Sequence, residues 1–283
     1  MTTIVSDLNH DSKSAMNMSD SINTLRHDSA ALHIDGVSQT YQSKSGSVHA
    51  LDDVSFSIDN GKFIGLVGPS GCGKSSLLMM MAGLLEPSSG CIRVGQRPIK
   101  KPEPEEIGVV FQESSLLPWK TALENVEFPL ELRGVDVSTR RALASEMLTR
   151  VGLRDFLDRR PHELSGGMKQ RVAIARGFCQ NPRVLLMDEP FAALDEQTRL
   201  SLGDELLSIW EQHRKTVVFV THSLTEAVYL CDEVVVMAAR PGRVIRRIEI
   251  DLPRPRTYKM MATARFGELR DEIWELIRNV EHV

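Results

Sequence analysis

Two alternating stretches open the pattern of hydrophobic and polar positions. ALHIDGVSQTY (31–41) and VHALDDVSFSI (48–58) place apolar and polar residues in turn, as strands with one buried face do. KFIGLV (62–67) is apolar nearly throughout and stops at Gly68, which predicts a strand buried on both faces. After it, SSLLMMMAGLL (75–85) has no breaker before Gly83 and predicts a buried helix. Three further apolar runs, RVLLMDE (183–189), TVVFVTH (216–222) and EVVVMA (233–238), are spaced by helical stretches at 165–179, 196–213 and 223–230. Strands alternating with helices predict a largely parallel sheet with crossover helices, an α/β fold.

The section from about 113 to 163 has a different character. STRRALASEMLTRVGL (138–153) offers Ser138 as an N-cap and Leu143, Met147, Leu148 and Val151 on one helical face. This section reads as a helical subdomain inserted into the α/β core. Residues 1–29 are polar and rich in Ser, Asp and Asn, and predict a disordered N-terminal tail. The expected main domain is 30–240. Residues 241–283 form a C-terminal extension, in which RFGELRDEIWELI (265–277) predicts an amphipathic helix outside the core.

Composition narrows the function classes. The chain has 283 residues, 42% hydrophobic and 25% charged, the balance of a globular protein with a sizeable core. Its formal net charge of -4 argues against nucleic acid as a partner, because binding the phosphate backbone calls for a basic surface. No apolar run approaches the ~20 residues that span a bilayer, and residues 1–29 lack the apolar segment of a secretory signal. The expected compartment is therefore the cytosol. Cys72, Cys91, Cys179 and Cys231 form no CxxC pair, which fits reduced thiols better than a disulfide framework or zinc site.

Candidate chemistry gathers where strands are expected to end. GPSGCGKS, Gly68–Ser75, fits G-x-x-x-x-G-K-[ST], follows an apolar strand and opens a helix. Gly68, Pro69, Ser70, Gly71, Cys72 and Gly73 would wrap closely around a phosphate, with the backbone N–H groups of all but the proline pointing at it, aided by the helix N-terminus. Lys74 would reach the β/γ-phosphates and Ser75 would ligate Mg²⁺. RVLLMDE ends in two acids: Asp188 would hold Mg²⁺, and Glu189 would orient or deprotonate the attacking water. Gln112 and His222 also lie just past apolar strands and should converge on the same crevice, since parallel sheets bind ligands at the C-terminal ends of their strands. Ser223-x-x-Glu226 reads as a capping box that starts a helix. In LSGGMKQR (164–171), Ser165 is a good N-cap, and Gly166 and Gly167 expose N–H groups at a helix start, an anion site with no ligand of its own in this chain.

Taken together, these motifs resemble the ATPase subunits of ABC transporters over about residues 31–239. The counterparts are Tyr41 as the aromatic that stacks on adenine, the phosphate loop 68–75 with Ser76 beside it, Gln112, the signature 164–168, the acids 188–189, FAALD ending at Asp195, and the switch histidine His222. Met168 departs from the glutamine commonest at the fifth signature position. The resemblance implies a P-loop NTPase core of ABC type with an antiparallel β subdomain and an inserted helical subdomain. It implies catalytic roles for Lys74, Gln112, Glu189 and His222, and metal contacts from Ser75, Gln112 and Asp188. It further implies ATP bound between two head-to-tail copies, identical or paralogous, with Ser165, Gly166, Gly167 and Asp195 reaching the partner's nucleotide. Two transmembrane permease subunits would dock on the cytoplasmic face of the cell membrane, near Leu116, Leu117, Pro118 and Trp119, and a periplasmic substrate-binding protein would act indirectly. ESSLLPWKTALENV (113–126), the signature region and THSLTEAVYLCDEVVVMAARPGRV (221–244) are similar to the nitrate, sulfonate and taurine importers. An exporter ATPase and a non-transport ABC ATPase are the alternatives.

Overall fold

The computed structural model describes residues 30–43 and 46–281; the stretch 1–29, read above as a disordered tail, lies outside them. In chain order the elements are β1 (Ala30–Ser43), β2 (Gly46–Asp59), β3 (Phe63–Val67), α1 (Lys74–Met81), β4 (Ser89–Val94), β5 (Arg97–Pro98) and β6 (Ile107–Val110). The helical section follows with α2 (Ala122–Leu132), α3 (Val137–Arg150) and two short 3₁₀ turns. The chain then runs through α4 (Gly166–Cys179), β7 (Val184–Asp188), α5 (Glu196–His213), β8 (Thr216–Val220), α6 (Leu224–Leu230), β9 (Glu233–Ala238), β10 (Arg243–Glu249) and α7 (Ala264–Glu281).

Two sheets result. One is antiparallel, in the order β2-β1-β4-β5; the other runs β10-β9-β3-β8-β7-β6, parallel from β9 to β6 with β10 antiparallel at its edge. The central strands are apolar because both their faces are covered. Along β7 and β8 the side chains split by alternation. Leu185, Met187, Val217 and Phe219 join the core beneath the helical section, α4, α5 and α6. Val184, Leu186, Val218 and Val220 join a second core with α1 and the antiparallel sheet. Each such side chain stabilises the fold by about 1.5–3 kcal/mol when fully buried. The alternation seen in 31–41 and 48–58 has a matching cause. Ile34 pairs with Phe56 and Val37 with Val54, all turned into that second core.

Three local expectations need correction. Helix α1 stops at Met81 rather than near 85. Gly83 takes φ 69°, its neighbour Leu84 N–H donates to Met79 O at 2.9 Å, and a Cβ at 83 would lie 2.4 Å from Lys101 O. Helix α3 is capped by Asp136, not Ser138. Asp136 accepts from Thr139 N at 3.0 Å and also from the Ser138 hydroxyl at 2.5 Å. These bonds hold the Asp136 carboxyl well below the usual range. Leu143, placed on the apolar face, is exposed; Ala144 takes the inward position beside Met147, Leu148 and Val151.

The C-terminal helix also departs from expectation. Phe266, Leu269, Ile273 and Ile277 of α7 are buried in the main core with the parallel strands. The segment leading to it is fastened by two arginines. The buried Arg256 donates to Val228 O at 3.3 Å, Tyr229 O at 3.0 Å and Cys231 O at 2.7 Å, the carbonyls at the end of α6. Arg254 donates to Leu230 O at 2.7 Å and Asp232 at 2.9 Å, and stacks on Trp210 at 4.3 Å. The 3.6-residue pattern of 265–277 announced an apolar face, but it carried no information on what that face would cover. All four cysteines are free thiols. Among the described residues no helix is long and apolar enough to cross a membrane.

Burial inside the core predicts that Ile273→Ala lowers unfolding free energy by about 2–4 kcal/mol. Trp274→Ala, one residue on but more than half exposed, should change it by less than about 0.5 kcal/mol. Urea unfolding of both variants measures the contrast; equal, small effects would place α7 outside the cooperative fold.

Candidate functional site

The loop Gly68–Gly73 joins the end of β3 to the start of α1. Gly73 occupies the N-cap position with φ 91°, and a Cβ there would come within 2.5 Å of Leu51 Cδ2. Only glycine permits both the left-handed turn and that close approach. Lys74 is largely buried and folds over the loop, its Nζ donating to Gly68 O at 2.9 Å and Pro69 O at 3.1 Å. Cys72 is fully buried; burial pushes its thiol up, and the nearby Lys74 opposes that only in part. Ser70, Gly71 and Ser75 are exposed. The Tyr41 hydroxyl is 3.0 Å from Ser76 Oγ, so the aromatic ring of β1 stands beside the first turn of α1.

Asp188 closes β7 and accepts a hydrogen bond from Ser75 Oγ at 3.2 Å. It is 8% exposed. Burial raises its carboxyl above the usual range, the Glu189 charge adds to this, and the Ser75 hydrogen bond and Lys74 oppose it. Glu189 then leaves the strand line with φ 43°, its N–H donating to Val220 O at 3.0 Å. That turn separates two adjacent acids: Asp188 faces the phosphate loop, and Glu189 Oε2 lies 3.0 Å from His222 Nδ1. With the carboxylate as acceptor, Nδ1 carries the proton. Lys74, Ser75, Asp188, Glu189 and His222 therefore meet at the ends of β3, β7 and β8, as their strand-end positions predicted.

Gln112 is exposed two residues beyond β6, on the same edge of the sheet. Phe111 O, just before it, accepts from Gln170 Nε2 of α4 at 3.3 Å. Ser165 caps α4 by accepting from Met168 N at 3.2 Å; Gly166 is open to solvent. A Cβ on Gly167 would touch Thr198 and Leu194, so the signature stands against the loop ending at Asp195. Asp195 caps α5, accepting from Thr198 N at 2.9 Å and from its hydroxyl at 2.6 Å, which lowers the carboxyl pKa. The hydrogen bonds of Ser165 stay within its own helix and do not reach residues 68–75.

The capping box expected at Ser223-x-x-Glu226 is only half formed. Ser223 Oγ accepts from Glu226 N at 3.3 Å, but the Glu226 carboxylate turns elsewhere. Its Oε2 accepts from Thr221 Oγ1 at 2.5 Å and its Oε1 lies 3.3 Å from Arg199 Nε. The Ser223 N–H that a full box would satisfy donates instead to Thr221 Oγ1 at 3.0 Å. Thr221, Arg199 and Glu226 were missed by the sequence reading. A glutamate three residues after a serine looks the same whether it caps or reaches another helix.

The arrangement offers a phosphate cradle, two hard oxygen donors (Ser75 and Asp188), and a carboxylate paired with an imidazole. Comparison with known proteins agrees with this chemistry. The ABC transporter family model matches residues 51–192. The taurine import ATP-binding protein TauB of Rhizobium johnstonii is 45% identical, the alignment covering 88% of this chain and 97% of TauB. The nitrate import ATP-binding protein NrtD of Synechocystis is 43% identical, over 88% of this chain and 96% of its own. The ATP-binding cassette MJ0796, solved as a dimer in a post-hydrolysis state with ADP and Pi, superposes with a TM-score of 0.71 at 33% identity. That superposition spans 78% of this chain and all of MJ0796.

Asp188 yields a prediction with a defined sign. Its folded pKa is raised, so stability is greatest while it is protonated, below the ordinary aspartate value of about 4, and is lost as pH rises through the folded pKa. Asp188→Asn removes that cost while keeping an acceptor for Ser75. The variant should melt higher than wild type at pH 7, and the difference should vanish at low pH. Calorimetry across pH measures both; a variant that melts lower at pH 7 contradicts the assignment.

Proposed function

The chain belongs to the ABC transporter family of ATP-binding subunits, ATPases coupled to transport, and we propose that it powers import of a small anion such as a sulfonate or nitrate. The observation that carries the catalytic part is the pairing of Ser75 with Asp188 and of Glu189 with His222 at neighbouring strand ends. The backbone N–H groups of Gly68 and of Ser70–Gly73, with Lys74, Ser75 and Ser76, hold the β- and γ-phosphates, Pro69 shaping the loop without a donor of its own, and Tyr41 stacks on adenine. The unit 30–240, with its insertion at about 113–163, is the ATPase domain, and 241–283 is an extension of it.

Ser75 and Asp188 fit Mg²⁺: their oxygens are 3.2 Å apart and chemically hard. No cluster of three or more acidic, His or Cys side chains able to hold a metal occurs among the described residues, so most ligands must come from nucleotide and water, which is the habit of Mg²⁺. Gln112 is the third protein contact. When bound, the ion neutralises charge developing on the phosphates. Glu189 orients a water whose oxygen attacks the γ-phosphorus as the bond to the β–γ bridging oxygen breaks. The water's proton passes to the Glu189 carboxylate, and ADP and phosphate result. His222, one ring nitrogen engaged by Glu189, donates to a γ-phosphate oxygen from the other when both nitrogens carry protons. Its pairing keeps the imidazole in a single orientation.

Ser165, Gly166 and Gly167 reach the nucleotide of a second, head-to-tail copy, together with Asp195. This reading is supported by the solvent-open Gly166, by the packing of Gly167 against the 191–195 loop, and by the dimeric state of MJ0796. The γ-phosphate then favours the closed pair over the open one, which is how ATP supplies mechanical bias. Permease subunits dock beside the insertion, on the inner face of the cell membrane, and a periplasmic binding protein acts through them. Within 116–119, Leu116 packs against the core, whereas Trp119 stays 68% exposed. Beside α2, a groove of 460 Å³ is lined by Val109, Phe128, Pro129 and Leu132. Asn125 fixes the intervening turn, accepting from Leu117 N at 2.8 Å and donating to Leu117 O at 3.2 Å.

Two measurements test this reading. Glu189→Gln, with hydrolysis slowed by at least about 100-fold, should form a dimer with saturating MgATP and remain monomeric without it. Light scattering that finds only monomer in both conditions refutes the head-to-tail arrangement. A strain lacking the gene should lose uptake of taurine, an alkanesulfonate or nitrate, regain it with the wild-type gene, and fail to regain it with Lys74→Ala. Uptake unchanged for all three anions refutes the anion-import reading.

A further inference from the structure

The switch histidine owes its position to groups that lie outside the motifs. The His222 side chain is 59% exposed and, among the described residues, hydrogen-bonds Glu189 alone, so its direction depends on the backbone that carries it. That backbone is clamped on both sides by one hydroxyl. Thr221 Oγ1 accepts from Ser223 N at 3.0 Å and donates to Glu226 Oε2 at 2.5 Å, while Thr221 N donates to Leu66 O at 3.3 Å, just before the phosphate loop. Glu226, with a side chain only 11% exposed, turns its other oxygen to Arg199 Nε at 3.3 Å. Arg199 Nη2 in turn donates to Leu194 O at 3.0 Å, the residue before Asp195.

We propose that Glu226 and Arg199 are positioning residues for ATP hydrolysis: through Thr221 they hold His222 in line with Glu189, and through Leu194 they tie it to the loop ending at Asp195. The inference rests on the roles proposed above for Glu189 and His222. A pair that served only to join α5 to α6 would do so better as two apolar side chains, because a largely buried carboxylate and a partly buried guanidinium carry a desolvation cost. An apolar pair cannot accept the Thr221 proton or donate to Leu194 O, and those two directed bonds are what set the geometry. Burial pushes the Glu226 carboxyl up, opposed by the Thr221 hydrogen bond, Arg199 and His222. The group thus sits within the electrostatic reach of the site it braces.

Single-turnover ATP hydrolysis by the full chain, with the steady-state kcat and KM for ATP, separates bracing from mere stability. Glu226→Gln and Thr221→Val should each lower kcat about tenfold with KM within about twofold, since small misplacements of a reacting group cost rate rather than binding. Thr221→Ser, which keeps the hydroxyl, should restore the rate. In a His222→Ala background, Glu226→Gln should slow single turnover no further. Unchanged kcat in Glu226→Gln and Thr221→Val overturns the proposal. So does an equal further loss in the His222→Ala background, which would mark a structural role alone. If His222→Ala itself hydrolyses at the wild-type rate, the role of His222 falls, and the bracing proposal falls with it, whatever Glu226→Gln does.

Discussion

Burial of the parallel sheet on both faces is the constraint on which the site depends. Within β3, β7 and β8, polar side chains are confined to the ends, Thr216 at the start of β8 and Asp188 at the end of β7, because every residue of these strands is buried. Polar groups must wait for the strand ends, where the backbone can leave the sheet and water or ligand can reach them. The phosphate loop, Asp188–Glu189 and Thr221–His222 appear there together for that reason. The hydrophobic effect does not select their chemistry, but it selects their common edge.

At that edge, backbone geometry separates groups that sequence places side by side. Asp188 and Glu189 are adjacent acids whose like charges oppose one another. The left-handed turn at Glu189 sends one carboxylate toward Ser75 and the other toward His222. One acid is then suited to a cation, the other to a water molecule. A non-glycine residue with positive φ is strained by roughly 1–3 kcal/mol, and such strain persists only where surrounding bonds hold it. The Glu189 N–H to Val220 O bond across to β8 is one of those restraints.

Much of this was legible because its physics is local. The alternation of 31–41, the unbroken apolar runs and G-x-x-x-x-G-K-S each state their structure within a few residues. Ser165 as N-cap of α4 was legible on the same terms. What escaped was either a competition between near-equivalent local choices or a non-local contact. Asp136 and Ser138 both make good caps, and the carboxylate prevailed by accepting from Thr139 N–H and the serine hydroxyl together. Gly83 ended α1 early because Lys101, eighteen positions on, left no room there for a side chain. Glu226 had a local reading as a cap, and the partner that drew it away, Arg199, lies on another helix.

The same non-local logic binds the C-terminal extension to the site. Helix α6 is held at its beginning by Thr221, Ser223 and Glu226, and at its end by Arg254 and Arg256. Burial lowers the Arg256 guanidinium to about 10, so it stays charged at neutral pH and meets the unsatisfied carbonyls and negative dipole end of the helix. Hydrogen bonds from a charged donor contribute about 1.5–3 kcal/mol each, so Arg254 and Arg256 fasten their segment firmly to the end of α6. Phe266, Leu269 and Ile273 then seat α7 on the same core. The extension and the backbone of His222 are therefore anchored at opposite ends of one short helix.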